Sequence, residues 1–402
     1  MKKFNHFSDH PIQKVPISLI LLVIGVALLI SLSGFYYFQF ERQQTQLKSY
    51  NELKAVAKLK INQLKQWRKE RLSEAIFFSE KSPFNVLAAQ IVSGDTTAIP
   101  LLQDAYNHIL SDDRFDNIII LNKKGKILFT AVEEMDTVDE KTREAAALAE
   151  QTGLIQMRDF YYCKQHQAIH IEFVSPLFDA DKQAIAVMIF RTNPESYLYP
   201  LIKNWPTPSK TAETFLVRKE DDSVRVLNQV MYRENEQLQL MFSMAETSNP
   251  AVLAADGFVG LYEGPGYIGR QILAHIDTVG TLPWKIIVKA ETSELYADLY
   301  KKTSLITVIV VLGILFFAAL VAWFYHNRQK KLWSSLANKT RELMESQEQF
   351  SATLYSIGDG VITTDTKGFV IHMNPVAERL TGWSEAEARN KKVEEVFVTL
   401  NH

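Results

Sequence analysis

Arginine and aromatic side chains in the middle of this chain form the most promising chemical group in the sequence. Arg158 and Arg191 carry guanidinium groups whose paired N–H donors match a carboxylate or another small anion. Nearby aromatic residues could line a pocket, namely Tyr161, Tyr162, Tyr197 and Trp205. The alternative is that both arginines form structural ion pairs and that the aromatic residues fill a hydrophobic core.

The sequence contains no motif of a common enzyme class or metal centre. A glycine-rich phosphate loop, a kinase nucleotide-binding pattern, a Gly-Gly-Asp-Glu-Phe cyclase signature and the paired spacings of zinc sites are all missing. His166 and His170 are four residues apart, a spacing that suits a metal ion on a helix. We interpret both histidines as lying on one strand, where they are too far apart to chelate, and so predict no metal site. Because no enzyme motif is found, we also predict no catalytic residue.

Two long apolar segments without charges bracket a polar region. They lie between Lys14 and Glu41 and between Lys302 and His326, and each exceeds the roughly 20 residues with which a helix crosses a bilayer. Lysines precede the first segment, and Arg328 and two lysines follow the second, which places both chain ends in the cytoplasm by the positive-inside rule. We therefore predict a multi-pass membrane protein in contact with lipid.

Composition narrows the possible partners. The 402 residues carry a formal net charge of −2, and the basic residues cluster only beside the apolar segments, so we predict no nucleic-acid partner. Cys163 is the single cysteine, so no disulfide can form within the chain. We interpret its thiol as a small, partly buried apolar group.

Hydrophobic periodicity predicts an α+β fold. Leu53, Ala57, Ile61 and Leu64 recur at helical spacing within a long helix over residues 41–80. A pattern of strand, polar turn and strand occurs three times, over residues 117–130, 215–228 and 361–374. A helix and further strands would complete two units between the membrane segments, and we place these over residues 139–151, 169–174, 184–191, 271–276 and 284–289, with a glycine-rich turn at residues 264–266.

Beyond the second apolar segment, a heptad stripe predicts a short coiled coil that would join two chains in a homodimer. The stripe consists of Leu332, Leu336, Leu343 and Phe350. The alternative is a single solvated linker helix.

Residues 356–383, with the sequence SIGDGVITTDTKGFVIHMNPVAERLTGW, closely resemble the start of a PAS domain. Asn374 and Pro375 fit the cap and first residue of its next helix. The resemblance covers only the first half of such a domain, which suggests a fragment. The flavin-binding Asn-Cys-Arg-Phe stretch is missing, and so is the region where a haem-ligating histidine would lie. We therefore expect neither flavin nor haem, and the cofactor stays unknown.

The region between the membrane segments resembles the tandem Cache-type (double PAS-like) sensor of bacterial multi-sensor histidine kinases. The run Asn193–Thr214, Leu227-Asn228, Gly266-Tyr267 and Pro283-Trp284 carry this resemblance. Amino-acid-sensing relatives have an Arg-x-Trp-Tyr stretch with an acidic residue on a later strand. Arg158-Asp-Phe160-Tyr161 resembles that stretch, but the later strand ends in Arg191. The implied ligand site contains Arg158, Phe160, Tyr161, Arg191 and Tyr197, and it favours a small carboxylate or other anion.

These features predict a sensor of the bacterial inner membrane that relays ligand binding to the PAS domain. The resemblance implies a histidine kinase as the output, with a response regulator as its partner. The alternatives are the input of a diguanylate cyclase or phosphodiesterase, a non-enzymatic binding protein and an anchored periplasmic enzyme. The predicted regions are a cytoplasmic N-terminus (1–14), a first membrane helix (15–40), a periplasmic sensor (41–302), a second membrane helix (303–325), a coiled-coil linker (326–350) and half a PAS domain (351–402). Within the sensor, we expect a long helix (41–80), a membrane-distal unit (81–205) and a membrane-proximal unit (206–302).

Overall fold

The computed structural model describes residues 16–81, 83–110, 114–132, 138–179, 181–233, 236 and 238–398. The predicted N-terminal cytoplasmic segment, residues 1–14, lies outside this range. The chain divides into two compact units. One unit spans residues 31–307, and the other combines the chain up to residue 30 with the chain from residue 308.

A helix of 60 residues, α1 (Ile17–Ile76), opens the described chain and ends in a π-helical turn, Phe77–Lys81. Its first part is the charge-free segment, whose most apolar stretch contains no buried residue. Its second part buries one stripe at helical spacing, which includes Leu53, Ala57, Leu64 and Trp67. The stripe follows the predicted one, because these are the apolar positions that recur on one helix face.

Two short helices, α2 (Phe84–Val92) and α3 (Ile99–Leu110), lead into the first sheet. This antiparallel sheet has the order β2-β1-β5-β4-β3. Its strands are β1 (Asn117–Asn122), β2 (Ile127–Thr130), β3 (Gln156–Cys163), β4 (Ala168–Phe178) and β5 (Ala184–Thr192). One face packs with α1, α2 and α3, and the other packs against α4 (Glu140–Thr152), whose cap is Asp139.

The helix α5 (Leu198–Lys203) leads into the second sheet, which is also antiparallel and has the order β8-β7-β6-β11-β10-β9. Its strands are β6 (Glu213–Glu220), β7 (Ser223–Val226), β8 (Met241–Ser243), β9 (Gly260–Pro265), β10 (Gln271–Thr278) and β11 (Trp284–Glu291). The helix α6 (Pro250–Ala255) covers one face, and the core along α1 covers the other. Gly264 and Pro265 lie in β9, so the glycine-rich turn begins later than predicted, at Gly266.

A short helix, α7 (Thr292–Leu295), leads into a second helix of 60 residues, α8 (Ala297–Ser356). Its apolar stretch is long enough to cross a membrane and contains no buried residue. The chain then forms β12 (Ile362–Thr364), β13 (Val370–Met373), α9 (Pro375–Thr381), α10 (Glu385–Ala388) and α11 (Val393–Val396). All three predicted hairpins are present, and Asn374 caps α9 as expected.

Candidate functional site

The face of the first sheet that packs against α4 carries buried polar side chains. Along β4, Ile171 and Phe173 belong to the core shared with α1, whereas His170 and Glu172 point to the opposite face. Both His170 and Glu172 are fully buried. A buried charge is destabilising unless a partner compensates it, so these positions indicate either a tight ion-pair network or a functional site.

A β-bulge in β3 brings Arg158 and Tyr161 onto this same face. Arg158 lies opposite Glu172 and Tyr161 lies opposite His170, so three steps along β3 match two steps along β4. The extra residue in β3 changes the direction in which the following side chains point, as is common at β-bulges. The guanidinium carbon of Arg158 lies 3.4 Å from the centroid of the Tyr161 ring, which is cation–π geometry.

The carboxylate of Glu172 is the centre of this cluster. Its Oε1 accepts hydrogen bonds from the Tyr161 hydroxyl at 2.6 Å and from Arg191 Nε at 2.9 Å, and Arg191 Nη2 lies 2.8 Å away. Its Oε2 accepts from the Thr142 hydroxyl of α4 at 2.5 Å. Arg191 is only 1% exposed, so this is a buried, charge-assisted pair that holds α4, β3, β4 and β5 together.

Arg158 and Asp139 form the outer half of the cluster, and Asp139 is the more exposed of the two. Arg158 forms a bidentate pair with Asp139, in which Nη2 and Oδ2 lie 2.6 Å apart, and it also donates to the Thr142 hydroxyl. The Asp139 side chain is 52% exposed, whereas that of Arg158 is 10% exposed. The outer half of the cluster is therefore a guanidinium clamp closed by one solvent-facing carboxylate.

Burial and neighbouring charge shift the pKa values of three side chains in the cluster. Burial, followed by the negative charge of Glu172, raises the pKa of Tyr161 far above its usual value, so the phenol remains a donor. Burial alone would lower the pKa of Arg191, but the charge of Glu172 raises it. Partial burial would raise the pKa of Asp139, but the hydrogen bonds from Arg158 and from the Thr142 amide lower it. The cluster thus pairs two arginines, Arg158 and Arg191, with two carboxylates, Asp139 and Glu172.

The structure brings together three of the five predicted site residues: Arg158, Tyr161 and Arg191. Phe160 lies on the other side of the bulge, stacked on Tyr199 at a ring distance of 6.0 Å. Tyr197 is 56% exposed and precedes α5. The sequence reasoning missed Asp139, Thr142 and Glu172. A signal for Glu172 was present, because it is the one carboxylate within the apolar run of β4.

The residue between Arg158 and Phe160 joins the two sheets. Asp159 accepts hydrogen bonds from the indole Nε1 of Trp284 at 2.9 Å, and Arg218 Nη1 lies 2.8 Å from its carboxylate. Phe160 also packs on Trp284, with ring centroids 5.0 Å apart. The bulge thus points one pair of side chains into the polar cluster and the other pair into the second sheet.

A cavity of about 380 Å³ lies between α1 and α7. It is lined by Leu53 and Val56 of α1, by residues 205–209 and by Glu294 of α7. The carboxylate of Glu294 accepts hydrogen bonds from Ser209 Oγ at 3.0 Å and from the Thr211 amide at 2.8 Å. These bonds attach the segment before the second sheet to α7.

A family model described as the PAS fold matches residues 348–402, which confirms the PAS resemblance of that region. A search of curated proteins with this sequence finds no match.

Three solved structures are similar to part of this chain. The sensory domain of the Campylobacter jejuni chemoreceptor Tlp3 is 14% identical, with 64% of this chain and 99% of that chain covered, at a TM-score of 0.45. The Pseudomonas fluorescens CtaA ligand-binding domain in complex with L-serine is 14% identical, with 61% and 98% covered, at 0.44. The Pseudomonas aeruginosa PAO1 PctB domain in complex with L-Gln is 15% identical, with 61% and 92% covered, at 0.41. Similarity at this level assigns no function to this chain.

Proposed function

We propose that this chain is the sensory part of a membrane receptor, in which a ligand-reading domain outside the cytoplasm controls a cytoplasmic PAS domain. The continuity of its two long helices is the observation that carries this proposal. The helix α1 runs unbroken from a charge-free apolar segment into the core of the unit of residues 31–307. The helix α8 runs unbroken from that unit, through a second apolar segment, to the PAS region. A displacement of either helix would reach the other side of the membrane.

The predicted ligand is a small carboxylate or related anion that binds at the Arg158 clamp. Because Asp139 already pairs with Arg158, a ligand carboxylate would exchange with the Asp139 side chain, which is half exposed. In that exchange Asp139 would also release the Thr142 amide that it caps. The buried Glu172–Arg191 pair would hold Arg158 and Tyr161 in place during this exchange. An exchange of one carboxylate for another conserves the charge balance of the cluster, so it avoids leaving a guanidinium unpaired.

Strand β4 supplies a short route from this clamp to α1. Its Glu172 faces the polar cluster, and the next residue, Phe173, packs on Trp67 of α1 with ring centroids 6.0 Å apart. Ser175 of the same strand shares a hydrogen bond of 2.7 Å with Ser79, just after α1. A shift of β4 would therefore move α1, and ligand binding would act through its differential affinity for two positions of that helix.

Location and output belong to the same proposal. Lysines before α1 and basic residues after the apolar part of α8 support a bacterial inner-membrane protein with both ends in the cytoplasm. The exposed stripe of Leu332, Leu336 and Leu343 supports a homodimer through a coiled coil. The proposed output is a histidine kinase with a response regulator as its partner. A diguanylate cyclase or phosphodiesterase is the alternative, since a PAS input suits each of them.

A thermal-shift screen of small organic acids against the full chain in detergent micelles tests the ligand site. A ligand that binds the folded state at 100 times its Kd stabilises it by about 2.7 kcal/mol. Arg158→Ala should abolish the shift that wild type shows. Arg233→Ala is the matched control, because that side chain is 50% exposed and pairs with nearby Glu236. Equal shifts in wild type and Arg158→Ala would show that the ligand does not bind at this cluster.

A further inference from the structure

The hairpin between β3 and β4 gathers a second set of side chains, next to the polar cluster but separate from it. Cys163 ends β3, residues 164–167 form the turn, and His170 lies near the start of β4. The sulfur of Cys163 and a ring nitrogen from each of His166 and His170 all lie within 4.8 Å of one another. The interpretation that both histidines share one strand is wrong for His166, because the turn folds it back over His170, with ring centroids 5.6 Å apart.

His170 is the side chain that points to a ligand. It is fully buried, and neither of its ring nitrogens has a hydrogen-bond partner among the described residues. Its Nδ1 faces Oδ2 of Asp116 at 3.6 Å, beyond hydrogen-bond distance, and that oxygen also has no hydrogen-bond partner within the described chain. Buried polar atoms without partners are uncommon and destabilising. A cation between these groups would satisfy both of them.

The donor set specifies the kind of cation. A thiolate and two imidazoles favour a transition metal over Ca²⁺ or Mg²⁺, which prefer oxygen ligands. Four-coordinate Zn²⁺ takes sulfur at about 2.3 Å and nitrogen at roughly 2.0–2.1 Å. The distances between the three donor atoms must therefore shorten by about an ångström, and the turn that carries His166 can supply this movement. The carboxylate of Asp116, whose Oδ2 lies 3.6 Å from His170 Nδ1, would supply a fourth donor by moving toward these three atoms.

We propose that Cys163, His166 and His170, completed by Asp116, bind a divalent transition-metal ion of the Zn²⁺ class. The site does not depend on a carboxylate ligand at Arg158. It does share a strand pair with that cluster, because Tyr161, which binds Glu172, lies directly opposite His170. Metal binding would therefore fix the hairpin that carries Tyr161.

Cobalt(II) titration of the full chain in detergent micelles, reduced with a phosphine, tests the proposal. Wild type should bind one Co²⁺ per chain, with a thiolate-to-cobalt charge-transfer band and the intense visible bands of tetrahedral cobalt, and Zn²⁺ should displace it. Cys163→Ser should lose the charge-transfer band. His166→Ala should weaken binding by more than about 100-fold, since even an outer-shell partner is worth about 10–100-fold.

His166→Ala lies in a turn, so the fold should persist, and far-ultraviolet circular dichroism checks that it does. His372→Ala is the control for loss of a histidine elsewhere, because this side chain is 41% exposed and lies in the PAS region, outside the proposed metal site. Zn²⁺ should raise the unfolding temperature of wild type and His372→Ala but not of His166→Ala. Cobalt binding without a charge-transfer band, or with equal affinity in wild type and His166→Ala, would overturn the proposal.

Discussion

Replacing Glu172 with glutamine removes the carboxylate from the buried Arg191 guanidinium while it nearly preserves the side-chain volume. Arg191 is 1% exposed and both of its contacts to Glu172 are shorter than 3.0 Å, so water cannot take over the role of the carboxylate. Breaking a buried ion pair from one side costs about 3–5 kcal/mol. For a domain of this size, we expect the unfolding temperature to fall by about 10 °C. Equilibrium unfolding in urea, followed by tryptophan fluorescence of the chain in micelles, measures the loss.

A second variant separates the ion pair from general damage to the core. Glu172→Gln combined with Arg191→Met removes both charges and should be about 1–3 kcal/mol more stable than Glu172→Gln alone, a coupling typical of contacting residues. Glu144→Gln, at an exposed position of α4, should change stability by less than about 0.5 kcal/mol. The reasoning is refuted if Glu172→Gln costs less than about 1 kcal/mol, or if the double variant is no more stable than the single one.

Three further predictions concern other parts of the chain. Burial lowers the pKa of His275, so protonation of this side chain favours the unfolded state. Wild type should therefore lose stability as the pH falls below about 6.5, with a slope of at most about 1.4 kcal/mol per pH unit. In pH-dependent urea unfolding, His275→Gln should lack this component. Asp159→Ala removes the acceptor of Trp284 and the partner of Arg218 and should cost about 2 kcal/mol by the same urea assay, whereas unchanged stability would show that the two sheets are joined by apolar contacts alone. Asn374→Ala removes bonds of 2.8–2.9 Å to two backbone amides and should cost the PAS region about 2–3 kcal/mol, seen as faster hydrogen exchange over residues 361–381; unchanged exchange there would contradict it.

Elements with a regular pattern could be predicted from the sequence. The three hairpins, the buried stripe of α1 and the helix after Asp139 all appear where the periodicity places them, because each repeats at the spacing of its element. Strands β3 and β9 were harder to predict. The bulge at Asp159–Phe160 breaks the alternation in β3, and β9 contains Gly260, Gly264 and Pro265, residues that are typical of turns.

The composition of the candidate site depended on strand register, which the sequence does not display. Arg158 and Arg191 could be placed in one region by resemblance. Their carboxylate partners could not, because Glu172 meets Arg191 only through the pairing of β4 with β5, and it meets Tyr161 only through the bulge. The same limit applies to His166, because a turn rather than a strand follows Cys163.

The proposal that the sensor region and the PAS region lie on opposite sides of a membrane is the central claim. Thiol labelling in intact spheroplasts of a bacterial host tests it most directly. In a Cys163→Ser background, single cysteines at Ser248, exposed in the sensor unit, and at Ser346, exposed on α8 after the apolar segment, are treated with a membrane-impermeant maleimide. The account predicts that Ser248→Cys reacts in intact spheroplasts and that Ser346→Cys reacts only after lysis. Equal labelling of both cysteines before lysis, or labelling of Ser346→Cys alone, would contradict it.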